Sequence, residues 1–331
     1  MSLRVRLIRA LAISAAVLAA AILFGVWAGY ERITPDLLRH DPIARAVFFR
    51  VRLPRVALAA ITGASLSVVG AALQAHFRNP LADPFTLGVS GGGALGASVA
   101  IALGWGASAL GVPVVFVASF AGAMAAVLIV YRIARSGVIV LPGALLLAGV
   151  IVNMIAAAGV LVLVYVTQSN RALEILRWTA GSLDAVGFDI VWRMAVVLTP
   201  AWLVLFTFAR DLHLLAMDEE TAAALGVNVR RTEIAVYFLS SVIVGVTVAV
   251  GGTIAFVGLI VPHAARLLFG QDLRIVLPSS FLAGAAFLIV ADAIARIAVP
   301  STELPVGAVT ALLGGPFFLW LLTRRQRNSA M

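Results

Sequence analysis

Long apolar runs separated by short polar connections recur along the whole chain, and each run approaches the roughly 20 residues that a helix needs to cross the hydrocarbon core of a bilayer. Ten segments have this character, near residues 10–30, 55–75, 88–104, 112–133, 142–166, 190–209, 232–250, 253–270, 275–298 and 306–322, with the third and eighth short and flanked by glycine. The pattern predicts an all-α, polytopic membrane protein of about ten transmembrane helices. No connection is long enough for a soluble domain, so residues 1–331 read as a single transmembrane domain. The first run follows Arg4, Arg6 and Arg9, but its length exceeds the 7–15 residues typical of a signal-peptide core, and it is read as a span.

Two of the runs share a pattern of small residues. Span two reads Gly63-Ala-Ser-Leu-Ser-Val-Val-Gly70 and span seven Gly245-Val-Thr-Val-Ala-Val-Gly-Gly252. They cross in opposite directions, as a weak inverted repeat relating spans 2–5 and 7–10 requires. After span two, "HFRNPLADPFTLGVSGGG" carries Pro80 and Pro84 next to a glycine cluster. Proline breaks helices, so this segment is a candidate gate. The connection between spans six and seven, "RDLHLLAMDEETAAALGVNVRR", is of another kind. Asp218, Glu219 and Glu220 suit a helix N-terminus, Ala222 to Leu225 favour helix, and Gly226 suits the position just past its C-terminus. A short cytoplasmic helix near 218–226 is expected, held by packing on its own domain or in a partner's groove.

Composition agrees with this picture: 62% of residues are hydrophobic, 12% are charged, and the mean hydropathy is +1.08. All 24 basic side chains are arginine. A phosphate-binding loop of the G-x-x-x-x-G-K-[ST] kind needs lysine, so this chain is not itself a P-loop ATPase and any ATP-driven work belongs to a partner. The absence of cysteine excludes disulfides and thiolate sites. The formal charge of +9 is scattered between apolar runs, with no basic domain for nucleic acid. With both termini in the cytoplasm, 14 arginines, among them Arg324, Arg325 and Arg327, lie inside and ten outside. Six of the outer ones crowd one loop, from Glu31 to Arg55, three of them in "FFRVRLPR". Such charge anchors to lipid headgroups, pairs with Glu31, Asp36 and Asp41, or faces an acidic partner. Arg296, one helical turn beyond Asp292, is also placed for an i,i+4 pair.

"RLPR" before span two, "FRNPLADP" and "LGVSGGG" after it, "LLLAGV" in span five, "AALGV" in the cytoplasmic helix, "FVGLIVPH" in span eight, "ADAIAR" in span nine, and "ELPVG" with "GGPFFLWLL" in span ten resemble the FecCD-type permeases. These are membrane subunits of ABC importers for iron-siderophores, haem and cobalamin, and the resemblance covers nearly the whole chain in order. It implies a subunit that dimerises with a second copy around a central pathway in the bacterial inner membrane. Two cytoplasmic ABC ATPase subunits would use ATP-Mg below, and a periplasmic substrate-binding protein would dock above. No cofactor or metal is expected on this chain. By the same resemblance, Arg52, Arg55 and Arg296 engage acidic residues of the binding protein, and Glu219, Glu220, Leu225 and Gly226 form the surface that couples to the ATPase. The cytoplasmic gate would comprise Asn79, Pro80 and Leu81 together with the link Val140-Leu141-Pro142-Gly143. There, Pro142 and Gly143 stand where relatives can carry small hydroxyl residues. Spans five and ten would line the pathway, with Asn153 facing it or bonding a neighbouring helix. Ferric siderophore is the first choice of cargo, with haem and cobalamin close behind.

Two other classes fit parts of the chain. A secondary transporter driven by an ion gradient places ionisable groups at mid-membrane, and the span centres here are almost free of charge. Gly88-Val89-Ser90-Gly91 with His263 is the material of an intramembrane serine protease, provided the two side chains meet in space.

Overall fold

The computed structural model describes residues 2–329 apart from 30–33, 107, 110, 137, 138, 141, 184–186, 300 and 301. Among the described residues, seven helices are long and apolar enough to cross a membrane, and three shorter apolar helices accompany them. Together they fall on the ten runs read from the sequence: Leu3–Trp27, Leu53–His76, Val89–Leu103, Val114–Ala134, Pro142–Val166, Phe188–Thr207, Val229–Gly251, Val257–Phe269, Leu273–Ile297 and Val306–Ser329, spans one to ten. The third and eighth, of 15 and 13 residues, are too short for a core of about 30 Å at about 1.5 Å per residue. Irregular backbone supplies the rest of their depth, which a bilayer tolerates only where protein or a cavity covers it. The side chains of Arg324, Arg325 and Arg327, used to orient the chain, lie outside the described residues, as do Glu31 and Arg32.

Span two is the hub, buried along nearly its whole length and packed on spans one, six, seven, eight and nine. In lipid no hydrophobic effect drives helices together, so close backbone approach has to do it. A Cβ at Gly63 would stand 2.2 Å from the carbonyl oxygen of Gly284 in span nine, and one at Gly70 would stand 1.9 Å from that of Gly258 in span eight. The hydroxyls of Ser241, Thr247 and Ser279 donate to carbonyls one turn back, at Tyr237, Ile243 and Ile275, and so need no outside partner. Spans one, four, five and six keep most of their apolar surface outward, with 17%, 28%, 17% and 28% of the most apolar window buried.

The likeness of spans two and seven has a counterpart in the packing. Span two packs on eight and nine, whereas span seven packs on three and four. Span three packs on four and five, and span eight on nine and ten. Exchanging the sets 2–5 and 7–10 maps these contacts onto each other. Each short span also comes directly after a left-handed residue, Gly88 (φ 82°) before Val89 and Phe256 (φ 70°) before Val257. Glycine adopts this backbone freely, whereas a residue with a Cβ pays roughly 1–2 kcal/mol. Gly314 of span ten makes room for the Phe256 ring, since a Cβ there would lie 2.4 Å from its Cγ.

Several elements were not legible as runs. The connection between spans one and two folds into helices Pro35–His40 and Pro42–Val47 and a π turn, Phe48–Arg52, that leads straight into span two. Between spans five and six lies an amphipathic helix, Ser169–Thr179. Arg171 donates to the Ala102 carbonyl (2.8 Å), Thr253 donates to that of Thr179 (2.5 Å), and the Gly307 amide donates to that of Gly181 (3.2 Å). This helix and the residues after it therefore cap the C-terminal ends of spans three and seven and the N-terminal end of span ten.

Candidate functional site

Arg52, Arg55 and Arg296, the residues expected to face a binding protein, lie together where spans one, two and nine meet, but all three are buried, with only 6–7% of each residue accessible. The π turn places Arg52 and Arg55 toward the ends of spans one and nine, because its extra residue per turn rotates the start of span two about its axis. Arg55 donates from Nε to Asp292 Oδ1 (2.9 Å) and from Nη1 to Glu303 Oε2 (2.5 Å). Arg296 donates from Nε to Asp292 Oδ2 (3.0 Å), realising the i,i+4 pair. Its other nitrogens reach the Ala28 carbonyl (2.5 Å) and the Gly25 carbonyl (2.8 Å), and Arg52 reaches that of Val26 (3.4 Å). The last carbonyls of span one have no partners within the helix, and guanidinium groups satisfy them while opposing the negative end of the helix dipole. Each oxygen of the buried Asp292 holds one arginine, so two guanidiniums share two carboxylates. Burying these charges is costly unless every one is paired, and here the pairing is geometric and mutual.

At its C-terminus span two ends in a Schellman motif: the Arg78 amide donates to Ala75 and the Asn79 amide to Gln74, with Arg78 in the left-handed region (φ 48°) that usually takes glycine. The residues expected to form a gate come next in the chain. Asn79 Oδ1 accepts from the Leu81 amide (2.9 Å), which folds Asn79-Pro80-Leu81 into a tight turn with Leu81 exposed. Asp83 then caps the turn Pro84–Leu87 by accepting from the Phe85 amide (2.9 Å). Gln74 donates to the Gly258 carbonyl (3.1 Å) and accepts from Arg266 (2.5 Å), tying span two to span eight. The second link is a short antiparallel pairing, Arg135–Ser136 with Ile139–Val140. Its Leu141 lies outside the described residues, span five begins at Pro142, and nothing stands within 4 Å of a Cβ at Gly143.

Asn153 holds the broken segment to span five. Its Oδ1 accepts from the Gly91 amide (2.9 Å), and its Nδ2 donates to the Phe85 carbonyl (2.6 Å). One turn earlier, a Cβ at Gly149 would stand 2.0 Å from the Thr86 carbonyl oxygen.

The short helix expected between spans six and seven forms over Glu219–Ala224, capped by Asp218, which accepts from the Thr221 amide (2.8 Å). That bond and the Thr221 hydroxyl hold the Asp218 carboxyl below the usual carboxylate range. Gly226 (φ 86°) ends the helix at the expected position: its amide donates to Ala223 and that of Val227 to Ala222. Ala222, Val227 and Leu215 make a small core of their own, while Leu225 and Met217 stay exposed. Arg78, just before the turn Asn79-Pro80-Leu81, is ion-paired with Glu219 in the first turn of this helix. Sequence spacing could not reveal that contact between two elements far apart in the chain. Ser90 is buried, and its hydroxyl finds no hydrogen-bond partner among the described residues. Among the described residues no base is hydrogen-bonded to it, as activating a serine nucleophile requires.

Residues 10–324 match the model of the FecCD transport family. The chain is 39% identical over 283 residues to the hemin transport system permease protein HmuU of Yersinia pestis, covering 85% of this chain and 84% of that one. It is 42% identical over 283 residues to the cobalamin import system permease protein BtuC of Halobacterium salinarum, covering 86% and 75%. A solved metal-chelate type ABC transporter in an inward-facing conformation superposes with a TM-score of 0.83 at 30% identity, covering 95% of this chain and 98% of that one.

Proposed function

The chain belongs to the FecCD transport family and is a transport subunit rather than an enzyme; from that premise we propose that it moves a metal chelate from periplasm to cytoplasm as one of two identical permease subunits. A ferric siderophore is the first choice of cargo, with haem and cobalamin close behind. Separate ATPases seat the helix Glu219–Ala224 with Glu220, Leu225 and Gly226, and a binding protein docks over Arg52, Arg55 and Arg296. The protein sits in the inner membrane with both termini in the cytoplasm. Spans five and ten line the pathway, and Asn153 is a residue of that wall. The turn Asn79-Pro80-Leu81 and the link at Pro142 and Gly143 close it below.

One observation carries the ATP-driven reading over an ion-gradient one. Among the described residues, every charged side chain in the spans lies within about two turns of a helix end, so these residues place no ionisable side chain at mid-membrane to bind and release a coupling proton. Uptake into proteoliposomes containing this chain and its ATPase, with binding protein outside, tests it. One chelate should accumulate only with ATP inside; accumulation driven equally by an ion gradient without ATP would overturn the reading.

The Arg78–Glu219 pair supports a mechanical link, because a shift of the short helix pulls directly on the segment that carries the gate. An exposed pair is worth roughly 0.2–1 kcal/mol, so Arg78→Glu or Glu219→Arg alone should lower uptake per ATP by about two- to fivefold. The double exchange should restore it. A double variant as impaired as either single one would count against the link.

A further inference from the structure

The docking arginines pose a problem that the structure itself resolves. A side chain meant to meet an acidic partner should be open, yet Arg55 is buried and already holds two carboxylates. The two are not equivalent. Asp292 sits inside span nine with 1% of its side chain accessible, and both of its oxygens are engaged. Glu303 lies in the connection to span ten with 57% of its side chain accessible, bonded to Arg55 through one oxygen. Its backbone neighbour is fixed, since the Leu304 amide donates to the Ala295 carbonyl (3.1 Å) and Pro305 comes next. Only the Glu303 side chain has to rotate for it to leave.

We propose that Glu303 is the exchangeable counter-ion of Arg55, an acidic stand-in that occupies the place a carboxylate of the docking protein takes. The inference rests on the docking reading and adds to it a residue that works against docking. Exchange of one carboxylate for another leaves Arg55 paired throughout, because Asp292 never lets go. The guanidinium is therefore never bare in a poorly solvated site, and the penalty that makes broken buried pairs costly does not arise. Glu303 swings into water, where a carboxylate is well solvated. The electrostatics change in the same direction. With Glu303 in place, Arg55 and Arg296 are balanced by two carboxylates; with it turned away, these two arginines and Asp292 carry one net positive charge facing the incoming acid. Glu303 also repels that acid until it moves, which makes docking selective for a partner whose carboxylate reaches the site in better geometry.

The test is a binding measurement on the reconstituted complex, using the substrate-binding protein that stimulates its ATP hydrolysis. Glu303→Gln keeps the shape and one acceptor for Arg55 but removes the charge. It should tighten docking about two- to tenfold, more at low salt than at high salt. On an Arg55→Gln background the same change should bring no gain; should that background fail to assemble, Arg55→Lys serves, and the gain should shrink. Unchanged or weaker docking of Glu303→Gln, with Arg55→Gln still impaired, would overturn the stand-in role while leaving the docking site. Undiminished docking of Arg55→Gln would remove the docking reading itself, and the inference with it.

Discussion

Asp292→Ala should prevent stable assembly of the end of the molecule where spans one, two and nine meet. The substitution leaves Arg55 with Glu303 alone and takes from Arg296 its only carboxylate in the described cluster, while the guanidiniums stay buried between spans one, two and nine. Breaking a buried pair by removing one partner costs about 3–5 kcal/mol, because the remaining charge is neither solvated nor neutralised. Here a single carboxylate serves two arginines, which puts the expected loss at the upper end. The arginines also hold Gly25, Val26 and Ala28 at the end of span one, so that span should loosen first. Thermal unfolding of the detergent-solubilised protein, together with the yield of monodisperse material, gives the reading. Asp292→Asn, which keeps an acceptor for one arginine, should fall between wild type and alanine. A melting temperature unchanged in Asp292→Ala would show that the network does not hold the ends of these spans.

Gly226→Pro should separate ATP hydrolysis from uptake. Proline requires φ near −65°, and Gly226 stands at 86°. Proline also lacks the amide that donates to Ala223. The local cost, about 3 kcal/mol or more, is over a hundredfold in the population of the closed helix end. The damage should remain local, because Leu215, Ala222 and Val227 form a core separate from the one between the spans. The chain should therefore insert in normal amount, with uptake lost and ATPase activity retained. Gly226→Ala, which meets no atom within 4 Å but keeps the amide, should cost only the roughly 1–2 kcal/mol of a left-handed alanine and transport at a reduced rate. Normal uptake in the proline variant would argue against coupling through this helix.

What could be read from the sequence was what neighbouring residues decide among themselves. Hydrophobic length located all ten spans, and the end of the short helix at Gly226 came from local chemistry, because a left-handed residue there favours glycine. The same motif at the end of span two went unseen, since Arg78 occupies the left-handed position and gives no compositional sign of it. The arginines of "FFRVRLPR" were legible as charge but not as partners. Arg55 meets Asp292 across 237 positions of sequence, and only the packing of span two on span nine creates that meeting. Asn153 is similar: a lone amide in an apolar helix signals a polar contact, whereas its partners, Phe85 and Gly91, come from a break in a different span. The helix Ser169–Thr179 was missed because a run of 11 residues with polar positions falls below any threshold for crossing a bilayer.

The arginine clamp on span one also fixes an order of events in biogenesis. Span one is made well before its clamp, since Arg296, which binds the carbonyl at Ala28, is 268 positions further on. At about 5–20 residues per second, the ribosome needs roughly 13 to 54 seconds to make that stretch. Through that interval the end of span one waits for Arg296, stabilised by lipid along an apolar surface of which little is buried even in the finished fold. Its final placement is a late, post-insertion step, and a chain cut short before span nine would leave its first helix in the bilayer with that contact unmade.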